Sequence, residues 1–350
     1  MSRLSDDLKA SPEVYAHSWD SQADAVMLIR LGEAELARAT FLDQRILSPE
    51  RPNQWLPRRE LTQAVAEAGL GERLGFVFHI GHVGSTLLSR LLGAAPSTIL
   101  SVREPAPLRS LASTHADLAT PESSVSPEAW DETLDGFLKL WSRTFRPGQT
   151  TVVKATSFAS ELAPGLLQRP SAPAAVLMYA RPEAYVASIL GGPNSRMEAR
   201  ALGQSRLRRL HRRLGETPWR LWSLSEGELI AMSWAAEMTA LAAAHGAAAG
   251  RAEWLDFDAF LADPGPRLRA VFERFGPIPP EGELDAILAG PLMRQYSKAP
   301  EHAYDARLRS EVLAAGQAEN PAESTRAMAW LDRAGAAHPL IAEVLAVGSG

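Results

Sequence analysis

The sequence predicts an α/β fold in three layers, with a mostly parallel β-sheet and helices on both of its faces. The first observation is that short apolar segments of β type alternate with helical patterns from residue 72 onward. The second is a glycine-containing loop that joins the first of these segments to a leucine-rich helix. The segments expected to form the parallel sheet are residues 76–80, 98–102, 151–154, 174–180 and 253–257.

Residues 1–71 precede this alternation, and we expect them to form a mainly helical extension. One stretch, residues 25–31, is apolar enough for a strand, whereas residues 33–42 and 61–70 have helical periodicity. Residues 72–345 are then expected to form a single α/β domain.

The composition of the 350 residues excludes several classes of protein. With 46% apolar and 22% charged residues the chain is globular, and its net charge of −5 gives no general attraction to nucleic acid. The absence of cysteine excludes disulfides, thiolate catalysis and cysteine metal sites. No apolar run approaches the roughly 20 residues of a membrane span, and the start of the chain lacks an apolar signal core. We therefore expect a cytoplasmic protein with no integral membrane segment.

The loop between the first sheet strand and its helix is the most informative motif of the chain. It consists of Gly81, His82, Val83, Gly84, Ser85 and Thr86. Free N–H groups and the positive end of the helix meet there, and the two hydroxyls can donate to phosphate or sulfate oxygens. An ordinary βα turn with a Ser/Thr cap is the simpler alternative. No lysine occurs in residues 76–92, which disfavours the loop of a nucleoside-triphosphate kinase.

Other polar residues follow the ends of neighbouring predicted strands. Glu104, Lys154 and Arg181 each come at or directly after such an end. In an open parallel sheet, ligands bind at the carboxyl ends of the strands. The sequence therefore predicts that these side chains share one site with the glycine loop.

Four segments of the chain resemble the P-loop sulfotransferases that use 3′-phosphoadenosine 5′-phosphosulfate (PAPS), bacterial members in particular. Residues 81–88 look like the family's 5′-phosphosulfate loop, P-[KR]-x-G-T-T-[LW]-[LW], and residues 179–188 like its 3′-phosphate segment, R-[DN]-P-x-x-x-x-x-S. Residues 101–105 look like the Glu-Pro corner of many bacterial members, and residues 257–264 like the segment Y-E-D-L-x-x-D-P. The resemblance covers residues 72 to about 310 and implies a P-loop-type α/β domain.

The resemblance also implies a set of binding residues. Gly84, Ser85 and Thr86 would hold the 5′-phosphosulfate, and Ser188 the 3′-phosphate. The chain departs from the family at four places: Gly81 replaces proline, His82 replaces Lys or Arg, Ala180 stands at the arginine position, and residues 258–259 read Asp-Ala instead of Glu-Asp. Arg181, one residue after the family's arginine position, is the expected partner of Ser188.

Sulfuryl transfer needs a base for the acceptor proton and a cation for the leaving phosphate, and it needs no metal in principle. Glu104 is the predicted base, with an ion pair to Arg103 as its structural alternative. Lys154 is the predicted cation, and His82 can serve when protonated. His82 and His79 are the next candidates for the base, and His302 is a weaker one. Arg294 or Lys298 would assist at the 3′-phosphate.

Several alternatives stay open at this point. The arginine-rich segment of residues 196–220 is either a solvated helical face or a mobile basic lid over an anionic ligand. An ATP-dependent P-loop kinase would need magnesium and an aspartate such as Asp256 or Asp258. A nucleotide-binding protein without activity is the third possibility. The acceptor is expected to be a small or lipid-like hydroxyl or amine compound, and the sequence gives no oligomeric state.

Overall fold

The computed structural model describes residues 4–8, 11–215, 217–276, 278–297 and 304–349. Within these ranges the strands form two sheets, one antiparallel and one parallel. The strands are β1 (Val14–Asp20), β2 (Ala25–Arg30), β3 (Asn53–Pro57), β4 (Leu74–His79), β5 (Ile99–Arg103), β6 (Thr150–Lys154), β7 (Ala175–Tyr179) and β8 (Ala252–Asp256).

Helices fill the connections between the strands and the C-terminal part of the chain. The α-helices are α1 (Leu4–Asp7), α2 (Glu33–Arg38), α3 (Arg58–Glu67), α4 (Ser85–Gly93), α5 (Ala106–Asp117), α6 (Pro127–Trp141), α7 (Ala163–Leu167), α8 (Pro182–Leu190), α9 (Pro193–Leu214), α10 (Glu226–Ala247), α11 (Phe257–Ala262), α12 (Pro264–Phe275), α13 (Glu281–Ala289), α14 (Ala306–Glu319), α15 (Pro321–Ala337) and α16 (Pro339–Ser349). Short 3-10 helices lie at Gln44–Ile46, Ser157–Leu162, Leu221–Ser223 and Pro291–Arg294. Within the described residues, no helix combines the length and apolar character that a membrane crossing needs.

The larger sheet is parallel, with the strand order β5-β6-β4-β7-β8. Every residue of β4 is buried, as an inner strand covered on both faces requires. On one face Gly75 leaves room for the ring of Phe275 from α12; a methyl group there would lie 2.5 Å from that ring. The predicted three-layer α/β fold is confirmed, and all five predicted strands are present with ends shifted by one or two residues.

The connections place a ligand site at the carboxyl end of β4. The chain runs from β4 to β5 and β6 on one side, and then to β7 and β8 on the other. Such a reversal leaves a crevice beside the central strand, where the following loops splay apart. The glycine loop leaves β4 at this point, so the topology itself directs it into the crevice.

The N-terminal extension contains more strand than expected. Besides the predicted strand near residues 25–31, β1 and β3 join β2 in an antiparallel sheet. The alternation of apolar and polar residues does not reveal β1, because the strand contains a buried histidine, His17. It does not reveal β3 either, because that strand buries a single residue. The extension packs on α5 and α6, and Leu42 pairs through its backbone with both Arg103 (2.7 Å) and Ala106 (3.0 Å). The N-terminal extension is therefore hydrogen-bonded to the turn between β5 and α5 that contains Glu104.

The arginine-rich segment is mainly the rigid helix α9, packed on α10. Arg206 and Arg209 are buried and donate to the fully buried Glu237 at 2.9 and 2.7 Å. Arg200, Arg208, Arg212 and Arg220 remain exposed, as a solvated face requires. Arg206 and Arg209 match neither of the two predictions, the mobile lid or the solvated face, because they form a buried ion cluster with Glu237.

Candidate active site

A cavity of about 550 Å³ opens at the carboxyl ends of the central strands. The glycine loop forms one wall. Glu104 and Lys154, which follow β5 and end β6, line the β5 side, whereas Ser188 of α8 and Phe257 after β8 line the other. The structure thus brings together the loop, Glu104, Lys154, His82 and Ser188, as the sequence predicted for residues at strand ends.

The loop presents unbonded donors to this cavity. The first intrahelical bond of α4 runs from Leu88 N–H to Gly84 C=O, so the N–H groups of Ser85, Thr86 and Leu87, which precede this first donor, have no acceptor within the helix. Thr86 Oγ1 is buried and has no hydrogen-bond partner among the described residues. A buried hydroxyl without a partner is costly unless a ligand completes it. The start of α4 therefore has the properties of an anion site.

Gly84 must be glycine for two reasons. Its φ of +65° lies in the left-handed region, and a methyl group on its Cα would lie 1.9 Å from the ring of Phe257. His82, in the same loop, also has a positive φ, of 56°. A non-glycine residue in this region is uncommon and often marks a functional segment. The loop is thus held in a strained conformation with Phe257 packed against it.

His79 stabilises the glycine loop through hydrogen bonds to the backbone. Its Nδ1 accepts a hydrogen bond from Gly81 N–H at 3.0 Å, and its Nε2 therefore carries the proton donated to Ala155 C=O at 2.9 Å. Both ring nitrogens of this buried histidine are engaged by backbone. His79 is therefore a structural residue and not a base, which removes one of the candidates.

Glu104 and Lys154 form an ion pair at the cavity. The Lys154 ammonium donates to Glu104 Oε1, and Glu104 N–H donates to Lys154 C=O at 2.8 Å. The lysine side chain is only 1% exposed, whereas that of Glu104 is 18% exposed and faces the cavity. Glu104 also has a positive φ, of 48°. The strained turn directs its carboxylate back over the strand end.

The alternative pairing of Glu104 with Arg103 is wrong. Arg103 turns to the opposite side and donates to three carbonyl groups at the end of α2, those of Leu36, Ala37 and Ala39. Burial lowers the pKa of Arg103 to about 10, which still leaves it charged at neutral pH. It binds the N-terminal extension to β5 and leaves Glu104 to Lys154.

His82 links the loop to the first turns of α9. Its Nε2 lies 3.4 Å from Glu198 Oε2, and its Nδ1 lies 3.4 Å from Ser195 Oγ. All three side chains line the cavity. The imidazole therefore lies at the loop with a carboxylate partner on α9.

The residues predicted for the 3′-phosphate are only partly brought together. Ser188 lines the cavity, but Arg181 does not; its side chain is 54% exposed and lies 4.0 Å from Asp256. Arg294 is also absent from the cavity wall. Lys298 and His302 lie outside the described residues.

Arg309 is a buried cation at the cavity that the sequence analysis missed. It comes from α14, donates to both carboxylate oxygens of Asp258, and lies 4.5 Å from the centre of the Phe257 ring. Burial would lower its pKa, but the hydrogen bonds to Asp258 outweigh this and raise the pKa above its usual value. It is thus a permanent positive charge on the β7–β8 side. No motif signals it, because its contacts lie about fifty residues upstream in the chain.

Two further wall residues come from the N-terminal extension. Phe41 and Arg45 line the cavity near Glu104, and the Arg45 guanidinium lies 3.9 Å from the centre of the Phe41 ring. The candidate residues predicted from the sequence all follow residue 72, so these two wall residues were not among them. No group of three or more metal-ligating side chains is found in the described part of the chain.

The solved structures that are similar to this chain include two sulfotransferases. The sulfotransferase domain from the curacin biosynthetic pathway is 17% identical, with a TM-score of 0.40, and the match covers 75% of this chain and 99% of that one. Sulfotransferase STF9 from Mycobacterium avium is 14% identical, with a TM-score of 0.38, covering 90% of this chain and 95% of that one. No protein-family model matches the sequence. No curated protein matches it either.

Proposed function

We propose that this protein is a PAPS-dependent sulfotransferase that moves a sulfuryl group to a hydroxyl or amine of a small or lipid-like acceptor. One observation carries the proposal: the Glu104–Lys154 pair and the unbonded start of α4 line the same cavity. A base, a cation and an anion cradle thus lie around one space. The sequence resemblance of the loop and of residues 179–188 supplies the identity of the nucleotide.

The 5′-phosphosulfate would bind at the glycine loop. The N–H groups of Ser85, Thr86 and Leu87 would donate to its oxygens, together with the Thr86 hydroxyl that has no partner in the protein. Gly81, Val83 and Gly84 shape the loop, and His82 would add a positive charge when protonated.

Glu104 would act as the base. In the transfer, the acceptor oxygen or nitrogen forms a bond to sulfur while the bond from sulfur to the bridging phosphate oxygen breaks. Glu104 takes the acceptor proton, and the electron pair of the broken bond stays on the phosphate. Lys154 and the start of α4 stabilise the negative charge that develops there. Their ion pair supports this division, since it holds the carboxylate and the ammonium side by side at the cavity.

The 3′-phosphate would bind on the other side of the cavity, between Ser188 and Arg309. Arg181 was the arginine predicted for this role, but Arg309 lines the cavity and is held by Asp258 with its charge fixed. A buried arginine recognises a phosphate well because its donors are planar and always charged. Lys298, which the sequence predicts to assist there, lies outside the described residues.

The kinase alternative is less well supported. Asp256 caps α11 through Ala259 N–H at 2.7 Å, and Asp258 binds Arg309, so both candidate magnesium ligands have other partners. The loop also lacks the lysine that reaches the β- and γ-phosphates.

The proposal is tested by release of 3′-phosphoadenosine 5′-phosphate (PAP) from PAPS with a panel of phenols, alcohols and amines. We expect acceptor-dependent release without added metal, and a loss of about 10²–10⁴-fold in kcat for Glu104→Gln, because the proton then has no base. PAP binding should survive in this variant. Turnover of ATP instead of PAPS would favour the kinase, and PAP binding without turnover of any acceptor would favour the inactive relative.

A further inference from the structure

The cavity has a positively charged region that the nucleotide does not need. It lies on the β5–β6 side, where Arg45 and Arg109 line the cavity beside Glu104. The groups assigned to the nucleotide, the start of α4, Ser188 and Arg309, lie at the loop and on the β7–β8 side. The two arginines therefore face the space in which an acceptor would lie.

Of the two arginines, only Arg45 has a carboxylate partner among the residues that the structure describes. Arg45 donates to both carboxylate oxygens of Asp43, at 2.8 and 2.5 Å. These bonds, helped by the nearby charge of Arg109, hold the pKa of Asp43 below its usual 3.8. Arg109 itself is exposed and makes no hydrogen bond or ion pair within the described residues. With Asp43 offsetting Arg45, and Glu104 offsetting Lys154, one positive charge remains at this end of the cavity.

The Phe41 ring lies beside both Arg45 and Lys154. The Arg45 guanidinium stacks on its ring, while the Lys154 ammonium lies 5.6 Å from the centre of the same ring. Phe41 thus presents an aromatic surface beside both the Arg45 guanidinium and the Lys154 ammonium. An acceptor that extends from Glu104 toward the arginines would contact this surface.

We propose that the acceptor carries a negatively charged group, a carboxylate, phosphate or sulfate, that Arg109 binds with support from Arg45. Its hydroxyl or amine then lies at Glu104, and its apolar part contacts Phe41. This inference rests on the proposed function, because it assigns the acceptor of that same site. It also makes the N-terminal extension, which supplies Phe41 and Arg45, part of the specificity determinant.

The experiment measures binding of matched phenols to the full chain saturated with PAP. The probes are 4-hydroxyphenylacetate, 4-hydroxyphenyl phosphate and 4-hydroxyphenyl sulfate, with neutral 4-hydroxyphenylacetamide as the reference. We expect at least one anionic probe to bind about tenfold more tightly than the amide, equivalent to about 1.4 kcal/mol. Which of the three binds most tightly identifies the charged group.

Arg109→Gln should remove this preference, and Arg45→Gln should weaken it. Arg333→Gln is the matched control, because that arginine on α15 is 65% exposed, pairs with Glu228 and lies outside the cavity wall. Equal binding of charged and neutral probes, no binding of any charged probe, or an unchanged preference in Arg109→Gln would each overturn the inference. If PAP does not bind, the proposed function fails, and the same titrations without nucleotide still decide whether the anion subsite exists.

Discussion

At the scale of single residues, two buried ion pairs of this molecule have opposite surroundings. Glu104 and Lys154 face the cavity, and the carboxylate keeps some exposure. Glu237 is completely enclosed between Arg206 and Arg209 and borders no cavity described above. A ligand in the cavity can reach the Glu104 carboxylate, so this group can take part in a reaction. The enclosed Glu237 carboxylate can only stabilise the packing of α9 on α10. The Glu237 cluster is therefore structural.

Replacing Glu237 by Gln should destabilise the protein strongly, because the buried Arg206 loses its carboxylate partner and Arg209 keeps only Glu161. Breaking a buried ion pair by removing one partner costs about 3–5 kcal/mol. Glu226→Gln is the matched control, since Glu226 also binds two arginines of α9 but only half-buried at the surface. It should cost about 1 kcal/mol or less. Urea unfolding measures both, and equal losses would refute the structural role of the cluster.

The same cluster should give the protein an acid-labile element. Burial would raise the pKa of Glu237, but the charges of Arg209 and Arg206 outweigh it, so the pKa lies below its usual 4.5. A carboxyl with a lowered pKa in the folded state stabilises the protein above pH 4.5, and this contribution is lost as the pH falls through the folded value. Wild-type unfolding free energy should therefore fall more steeply below that pH than in Glu237→Gln. Parallel pH profiles of the two proteins would contradict this.

At the scale of elements, the unit that decides the site is the strand-loop-helix of β4 and α4. Gly84 gives the loop a backbone that other residues rarely adopt and the space in which the Phe257 ring lies. These are two separate demands, one on φ and one on volume. Only the second depends on the tertiary structure.

Gly84→Ala should reduce both stability and nucleotide binding, because the methyl group overlaps the Phe257 ring and displaces the loop. Gly69→Ala is the matched control, since Gly69 has a φ of +62°, close to that of Gly84, but nothing within 4 Å of the added methyl group. The control should cost about 1–2 kcal/mol of unfolding free energy and leave PAP affinity unchanged. A Gly84→Ala protein that behaves like this control would show that the Phe257 contact has no role.

The sequence allowed the parallel sheet to be predicted better than the N-terminal one. Strands such as β4 and β7 are buried on both faces and therefore read as continuous apolar runs. The strand β3 buries only Leu56 and pairs at an edge, so its pattern does not differ from a loop. Tertiary pairing, which a single segment does not encode, decides whether such a sequence becomes a strand.

The sequence likewise allowed some of the candidate site residues to be predicted and not others. Glu104, Lys154 and the loop were predictable because they follow strand ends, whose positions the topology fixes. Arg309 and Phe41 come from segments far from the motifs and enter the cavity only through packing. Arg206 and Arg209 were misread because their partner, Glu237, lies about thirty residues further along the chain.

At the scale of the whole molecule, the extension and the α/β domain share interior contacts. Arg103 donates hydrogen bonds to carbonyl groups at the end of α2. The backbone of Leu42 forms hydrogen bonds with Arg103 and Ala106, the residues that flank the turn containing Glu104. We therefore expect one cooperative unfolding transition, with the same midpoint by far-ultraviolet circular dichroism and by tryptophan fluorescence, because Trp19 reports on the extension. Two separated transitions would show that the extension folds independently of the site.

The central claim is that the cavity binds an adenosine nucleotide phosphorylated at the 3′ position, and calorimetric titration with PAP and AMP in the presence of a chelator tests it most directly. The two ligands differ only in the 3′-phosphate that Arg309 and Ser188 would bind. A charged hydrogen bond contributes about 1.5–3 kcal/mol, so PAP should bind at least about tenfold more tightly than AMP. Equal affinities, or binding of neither nucleotide, would contradict the account.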